Sequence, residues 1–179
     1  MFKNKKIIKF LFFFICFSNF QSISQTNEDV PLNNIAINEF PKPITSLIFE
    51  DFSGNKINLK DYNGKLVIIN FWATWCAPCK KEMPSLDSLS EDSNFKNLKI
   101  LAINMEQPNT EKVKNFFNKL NIKNLEIFFD RNLNFVKEFN LRGVPTTILI
   151  NKKGEEFARI IGEVDFKDKD FIKWLLKYD

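Results

Sequence analysis

From Ile44 to the C-terminus the chain alternates between apolar runs and helical spacing, and the switches lay out its elements. Leu47-Ile48-Phe49 and Lys56-Ile57-Asn58-Leu59, around Ser53-Gly54-Asn55, predict a small hairpin. Leu66 to Phe71 is a near-continuous apolar run, as in a strand covered on both faces. A helix is predicted from about Pro78 to Glu91, with Pro84 inside it as a kink, and then a strand at Lys99–Ile103. Val113, Phe116, Phe117 and Leu120 recur at i, i+3, i+4 and i+7 behind the cap Asn109-Thr110, the spacing of an amphipathic helix. Leu125–Phe129 reads as a strand, and Leu133, Val136 and Phe139 mark a short helix. Thr146–Ile150 and Glu156–Ile161 flank the turn Asn151-Lys152-Lys153-Gly154 as a hairpin, and a last helix from about Asp165 buries Phe171, Ile172, Leu175 and Leu176. This order predicts an α/β fold with a mixed central sheet and helices on both faces.

Ahead of this region the pattern differs. Lys3, Lys5, Lys6 and Lys9 lead into an apolar run from Phe10 to Phe17, and Ser22-Ile23-Ser24 supplies a small-x-small site before Gln25. That is the layout of a secretory signal over residues 1–24. The run falls short of the roughly 20 residues that span a bilayer, although an uncleaved N-terminal anchor is the competing reading. Ile15, a bulky residue, argues against lipidation at Cys16. Either way the rest of the chain is expected outside the cytoplasm. Residues 25–43 are polar, carry Pro31, Pro41 and Pro43, and read as a linker, which leaves residues 44–179 as one domain.

Charge changes the picture once the leader is set aside. The chain has 26 Lys and Arg against 22 Asp and Glu. Residues 1–24 hold four of the Lys and no acid, so the remainder balances at zero. A neutral mature chain has no electrostatic footprint for nucleic acid or anionic lipid.

Of the three Cys, only Cys76 and Cys79 lie beyond the leader, and the sequence has no His. A pair this close closes too small a loop to staple a fold, and structural zinc takes four ligands. What remains is a reversible dithiol or a two-coordinate Cu(I) site, with no resident cofactor expected. The pair follows a buried strand and opens a helix, which aims free backbone N–H groups and the positive helix end at the Cys76 sulfur. Both favour thiolate, so Cys76 is the expected nucleophile and Cys79 the resolving thiol. Pro78 sits near the helix start, where a missing N–H costs little.

Phe71-Trp72-Ala73-Thr74-Trp75-Cys76-Ala77-Pro78-Cys79 resembles the active site of thioredoxin-fold proteins, specifically the TlpA/ResA-like thiol–disulfide oxidoreductases. The resemblance runs over about residues 44–178. It takes in Leu59–Lys65, Pro84 and Val144-Pro145-Thr146, and the helix and strand at about 110–129 match that group's central insertion. It implies a cis Val144–Pro145 bond facing the disulfide. It also implies a substrate-binding rim of Trp75, Ala77, Pro78, Val144 and Pro145, with Trp72 in the core. Asn70 stands where thioredoxin has a buried acid. Glu82, three residues after the second Cys, is the group's glutamate and the implied proton acceptor for Cys79.

The resemblance further implies a monomeric reductase fed by a membrane thiol–disulfide transporter. Its expected substrates are the CxxCH pair of an apocytochrome c or a copper-chaperone dithiol. The residues alone leave direction open. A disulfide-forming oxidant is the alternative enzyme; Ala77-Pro78, Glu82 and the lack of a large helical insertion of the DsbA type argue against it. A Cu(I) carrier lacks a Met cluster, and a peroxidase would use a different cysteine loop.

Overall fold

The computed structural model describes residues 31–179 apart from Thr45, so the leader, its Cys16 and the first part of the expected linker lie outside the described residues. Eight strands form one sheet: β1 (Ile35–Pro43), β2 (Ile48–Asp51), β3 (Lys56–Asn58), β4 (Leu66–Trp72), β5 (Leu98–Asn104), β6 (Ile127–Phe129), β7 (Thr146–Ile150) and β8 (Glu155–Ile161). The helices are α1 (Ala77–Leu89), α2 (Thr110–Leu120), α3 (Asn134–Glu138) and α4 (Lys169–Leu175), with short 3₁₀ turns at Leu59–Tyr62 and Leu176–Tyr178. Strand order is β1-β8-β7-β4-β5-β6-β2-β3. Only β4–β5 and β5–β6 run parallel; the other neighbours are antiparallel. The sheet is therefore mixed, as predicted.

All seven residues of β4 are buried, and their alternation divides the core. Leu66, Ile68 and Trp72 join a cluster with Met83 and Leu86 of α1, Phe116 and Phe117 of α2, and Phe171 and Trp174 of α4. Val67, Ile69 and Phe71 point the other way, into a cluster with Phe49, Phe128, Phe135 and Phe139 around α3. Helices cover both faces because both sets of β4 side chains are apolar. Asn70 falls, by the same period of two, on the face that α1 covers.

Three boundaries differ from expectation, each because backbone N–H groups find other partners. The last nine residues of the expected linker are β1, which pairs with β8 from Ile35↔Ile160 to Pro43↔Glu155 with a register shift between Ile37 and Lys42. Pro41 and Pro43 are tolerated because β1 is an edge strand. Strand β6 starts at Ile127 rather than Leu125. The backbone N–H groups of Lys123, Asn124 and Leu125 donate to the buried Asp87 carboxylate, at 2.8 Å for Asn124 and 3.0 Å for Leu125. Helix α4 starts at Lys169 rather than Asp165. Asp165 instead closes a turn, accepting Lys167 N–H on its side chain and Asp168 N–H on its carbonyl, and Asp168 then caps the helix through Asp170 and Phe171 N–H.

Asp87 thereby pins the segment ahead of β6 to α1. Asp87→Ala should lower folding stability by about 3 kcal/mol, because three backbone donors lose a charged acceptor in a buried setting. The check is urea denaturation, with a lower midpoint and an unchanged slope.

Candidate active site

The site lies at the carboxyl end of β4, where the chain leaves the buried strand and enters α1. Cys76 is the N-cap of α1: it accepts the Cys79 N–H on its own sulfur at 3.2 Å, and its carbonyl accepts Lys80 N–H. Cys76 and Cys79 are joined as a disulfide with their Cα atoms 5.3 Å apart. Cys79 is wholly buried and Cys76 is 3% exposed. Ala77 and Pro78 are exposed at the first turn, where Pro78 needs no N–H partner. Pro84 is accommodated within α1.

The loop before Cys76 is held from a second direction. Glu106, just past β5, accepts Thr74 N–H at 2.6 Å and Thr74 Oγ–H at 3.0 Å, and pairs with Lys112 of α2. Burial pushes this carboxyl up, but the hydrogen bonds from Lys112 and Thr74 outweigh it and leave Glu106 below its ordinary range. The clamp sits one residue before Trp75, which is 68% exposed at the rim. Trp72 is fully buried and stacks on Phe116 with ring centroids 4.8 Å apart.

The Val144–Pro145 bond is cis. Pro78, Leu141, Arg142, Val144, Pro145 and Ile161 are among the residues around one groove of about 540 Å³, so the start of α1 and the cis-proline loop share a concave surface. The groove runs along the loop, and Ile161 adds an exposed aliphatic wall. Trp75 and Ala77 stand beside this groove in the chain but are not among its lining residues.

Glu82 sits one turn beyond Cys79 on α1 and is 2% exposed. One carboxylate oxygen accepts Asn70 Nδ2–H at 2.8 Å and the other accepts Val164 N–H at 3.0 Å. Asn70 also donates to Thr147 Oγ at 3.0 Å, which ties β4, β7 and α1 together beneath the cysteines. Burial pushes the Glu82 carboxyl up to about 7, against the lowering effect of those two hydrogen bonds and with a further rise from Glu163. A carboxyl of that kind exchanges protons at neutral pH.

The residues singled out in the sequence therefore converge on one end of the sheet. Missing from that reading were the hydrogen bond from Asn70 to Glu82, the Val164 N–H and the Glu106 clamp. A lone Asn in an apolar strand did signal a buried group in need of a partner. Nothing comparable marked Glu106, which lies 32 residues from Thr74 in the chain.

A thioredoxin-type sheet with a Cys-x-x-Cys pair capping its first long helix defines a thiol–disulfide oxidoreductase. Comparison with known proteins agrees. Residues 39–155 match the AhpC/TSA family. The chain is 36% identical over 122 residues to thiol-disulfide oxidoreductase ResA of Bacillus thuringiensis, covering 68% of this chain and 69% of that one. It is 35% identical over 121 residues to ResA of Geobacillus kaustophilus, covering 68% of each. Among solved structures, StoA from Bacillus subtilis superposes with a TM-score of 0.61 at 25% identity, over 77% of this chain and 98% of that one. The chain belongs to the AhpC/TSA family of thioredoxin-fold proteins, within its ResA-like thiol–disulfide oxidoreductases.

Proposed function

We propose that this oxidoreductase works outside the cytoplasm as a reductant of protein disulfides, with Cys76 as nucleophile, Cys79 as resolving thiol and Glu82 as proton acceptor. In the reduced form the Cys76 thiolate attacks a substrate disulfide, forming a mixed disulfide and releasing one substrate thiolate. Cys79 passes its proton to Glu82 and attacks the Cys76 sulfur, which releases the second substrate thiolate and leaves the Cys76–Cys79 disulfide. Two electrons have moved to the substrate, and a membrane thiol–disulfide transporter returns them. The rim of Trp75, Ala77, Pro78, Val144 and Pro145 receives the substrate chain, here the CxxCH segment of an apocytochrome c or a copper-chaperone dithiol.

The observation that carries this reading is the buried Glu82 carboxyl, one turn from Cys79 and poised near neutral pH. The positively charged leader supports export, and the family resemblance supports the reductive direction. The test is capture by Cys79→Ser, in which the mixed disulfide has no resolving thiol. Expressed in a cell carrying the native pathway, this variant should accumulate adducts through Cys76 that dithiothreitol releases, with CxxCH proteins among them. Absence of any protein adduct, with Cys76 still reactive to a small thiol reagent, would count against a protein substrate.

A further inference from the structure

Glu82 has an opening of its own, separate from the groove at the cis-proline loop. A cavity of about 410 Å³ is lined by Lys81, Glu82, Ser85, Glu163, Val164 and Asp165, and it shares no lining residue with that groove. Neither cysteine borders it. Its walls are α1 on one side and the segment after β8 on the other. They are stitched together by Val164 N–H to Glu82, by Phe166 N–H to Ser85 Oγ, and by an ion pair between Lys81 and Glu163. A substrate chain lying along the groove would cover the cysteine face and leave this cavity open to water.

The charged groups that face Glu82 can be named from each element packed on it. From α1 comes Lys81, and from the segment after β8 come Glu163 and Asp165. Strands β4 and β7 contribute only the neutral Asn70 and Thr147. Glu163 pushes the Glu82 carboxyl up and its partner Lys81 opposes that effect, and their side chains are 43% and 75% exposed, so each can be altered without opening the core.

We propose that Lys81 and Glu163 are positioning residues for the exchange reaction: their ion pair, set at the separate cavity of Glu82, governs how tightly Glu82 holds its proton. The proposal rests on the reading of Glu82 as proton acceptor. Removing Glu163 leaves Lys81 as an unbalanced cation beside the carboxylate and favours its ionised form. Removing Lys81 leaves Glu163 as an unbalanced anion and favours the protonated form. An ion pair that acted only by fastening the segment after β8 to α1 would, when broken from either side, loosen the Val164 contact and move the midpoint in the same direction in both variants.

The experiment is a pH titration of the Glu82 carboxyl carbon by NMR in the oxidised protein labelled with ¹³C at glutamate, with Glu82→Gln to assign the signal. Glu163→Gln should lower the midpoint, and Lys81→Gln should raise it, each by a few tenths of a pH unit at low salt. The double variant should lie between the two single variants. In about 1 M salt, where screening falls to roughly 3 Å, both shifts should shrink. Shifts of the same sign, or unmoved midpoints in both single variants, would overturn the inference. A separate outcome bears on the catalytic reading: if Glu82→Gln exchanged disulfides at the parental rate, Glu82 would not be the acceptor, whatever the midpoints showed.

Discussion

Cys76→Ser should abolish disulfide exchange, lowering turnover of a model disulfide by at least ~10³-fold, while the protein stays folded. Cys79 is unable to substitute as the attacking group. It is wholly buried, whereas Cys76 stands at the helix N-terminus with the Cys79 N–H directed at its sulfur. Stability should survive, because the bond spans a sequence separation of 3. The chain-entropy model assigns a loop that short only about 2 kcal/mol. The two apolar clusters on either side of the sheet hold the domain without it. Activity and thermal unfolding measured on one preparation check both halves of this expectation. A variant that lost exchange only in proportion to lost folding would show that the cysteine was structural.

Glu82→Gln should cost about 10²-fold in the resolving step and remove an inflection near pH 7 from its pH profile. In the parent the step speeds up as pH rises through about 7, because only the ionised carboxylate takes the Cys79 proton. The same group also leaves a mark on stability, with a defined sign. Burial raises the Glu82 carboxyl from 4.5 to about 7, so the folded state holds this proton more tightly than the unfolded chain does. Its favourable contribution is fully present below about pH 4.5 and is lost as pH rises through about 7. The loss amounts to roughly 3 kcal/mol across that window. Glu82→Gln should flatten this slope, so that variant and parent are closest in stability at acid pH, where both carry a neutral side chain, and diverge as pH rises through about 7. Urea denaturation at pH 4.5, 6 and 8 measures it.

Much of the fold was legible because β4 and α2 obey their periods without interference. Seven buried residues in β4 and the Val113-Phe116-Phe117 stripe in α2 match a strand covered on both faces and an amphipathic helix. The cysteine motif was legible because its chemistry depends on local order, strand then helix. Boundaries went astray where a distant side chain captured backbone donors. Asp87 delays β6 through a contact spanning 36 residues, and Glu82 and Ser85 tie down the segment ahead of α4 from 82 and 81 residues away. Strand β1 was misread because Pro41 and Pro43 forbid a central strand but not an edge one. Local spacing carries no trace of such pairings. Within the site, Cys76, Cys79 and Glu82 could be read from one short segment. The Glu106 clamp and the Val164 donor are products of tertiary closure alone.

The proposed function requires a dithiol poised to give electrons to protein disulfides. Its most direct test is equilibration of the purified mature protein, lacking residues 1–24, against defined glutathione ratios, reading the fraction of the Cys76–Cys79 disulfide. A midpoint potential of about −250 mV, close to thioredoxin's, is the predicted result, whereas one near −120 mV would mark a disulfide-forming oxidant and contradict the proposed direction.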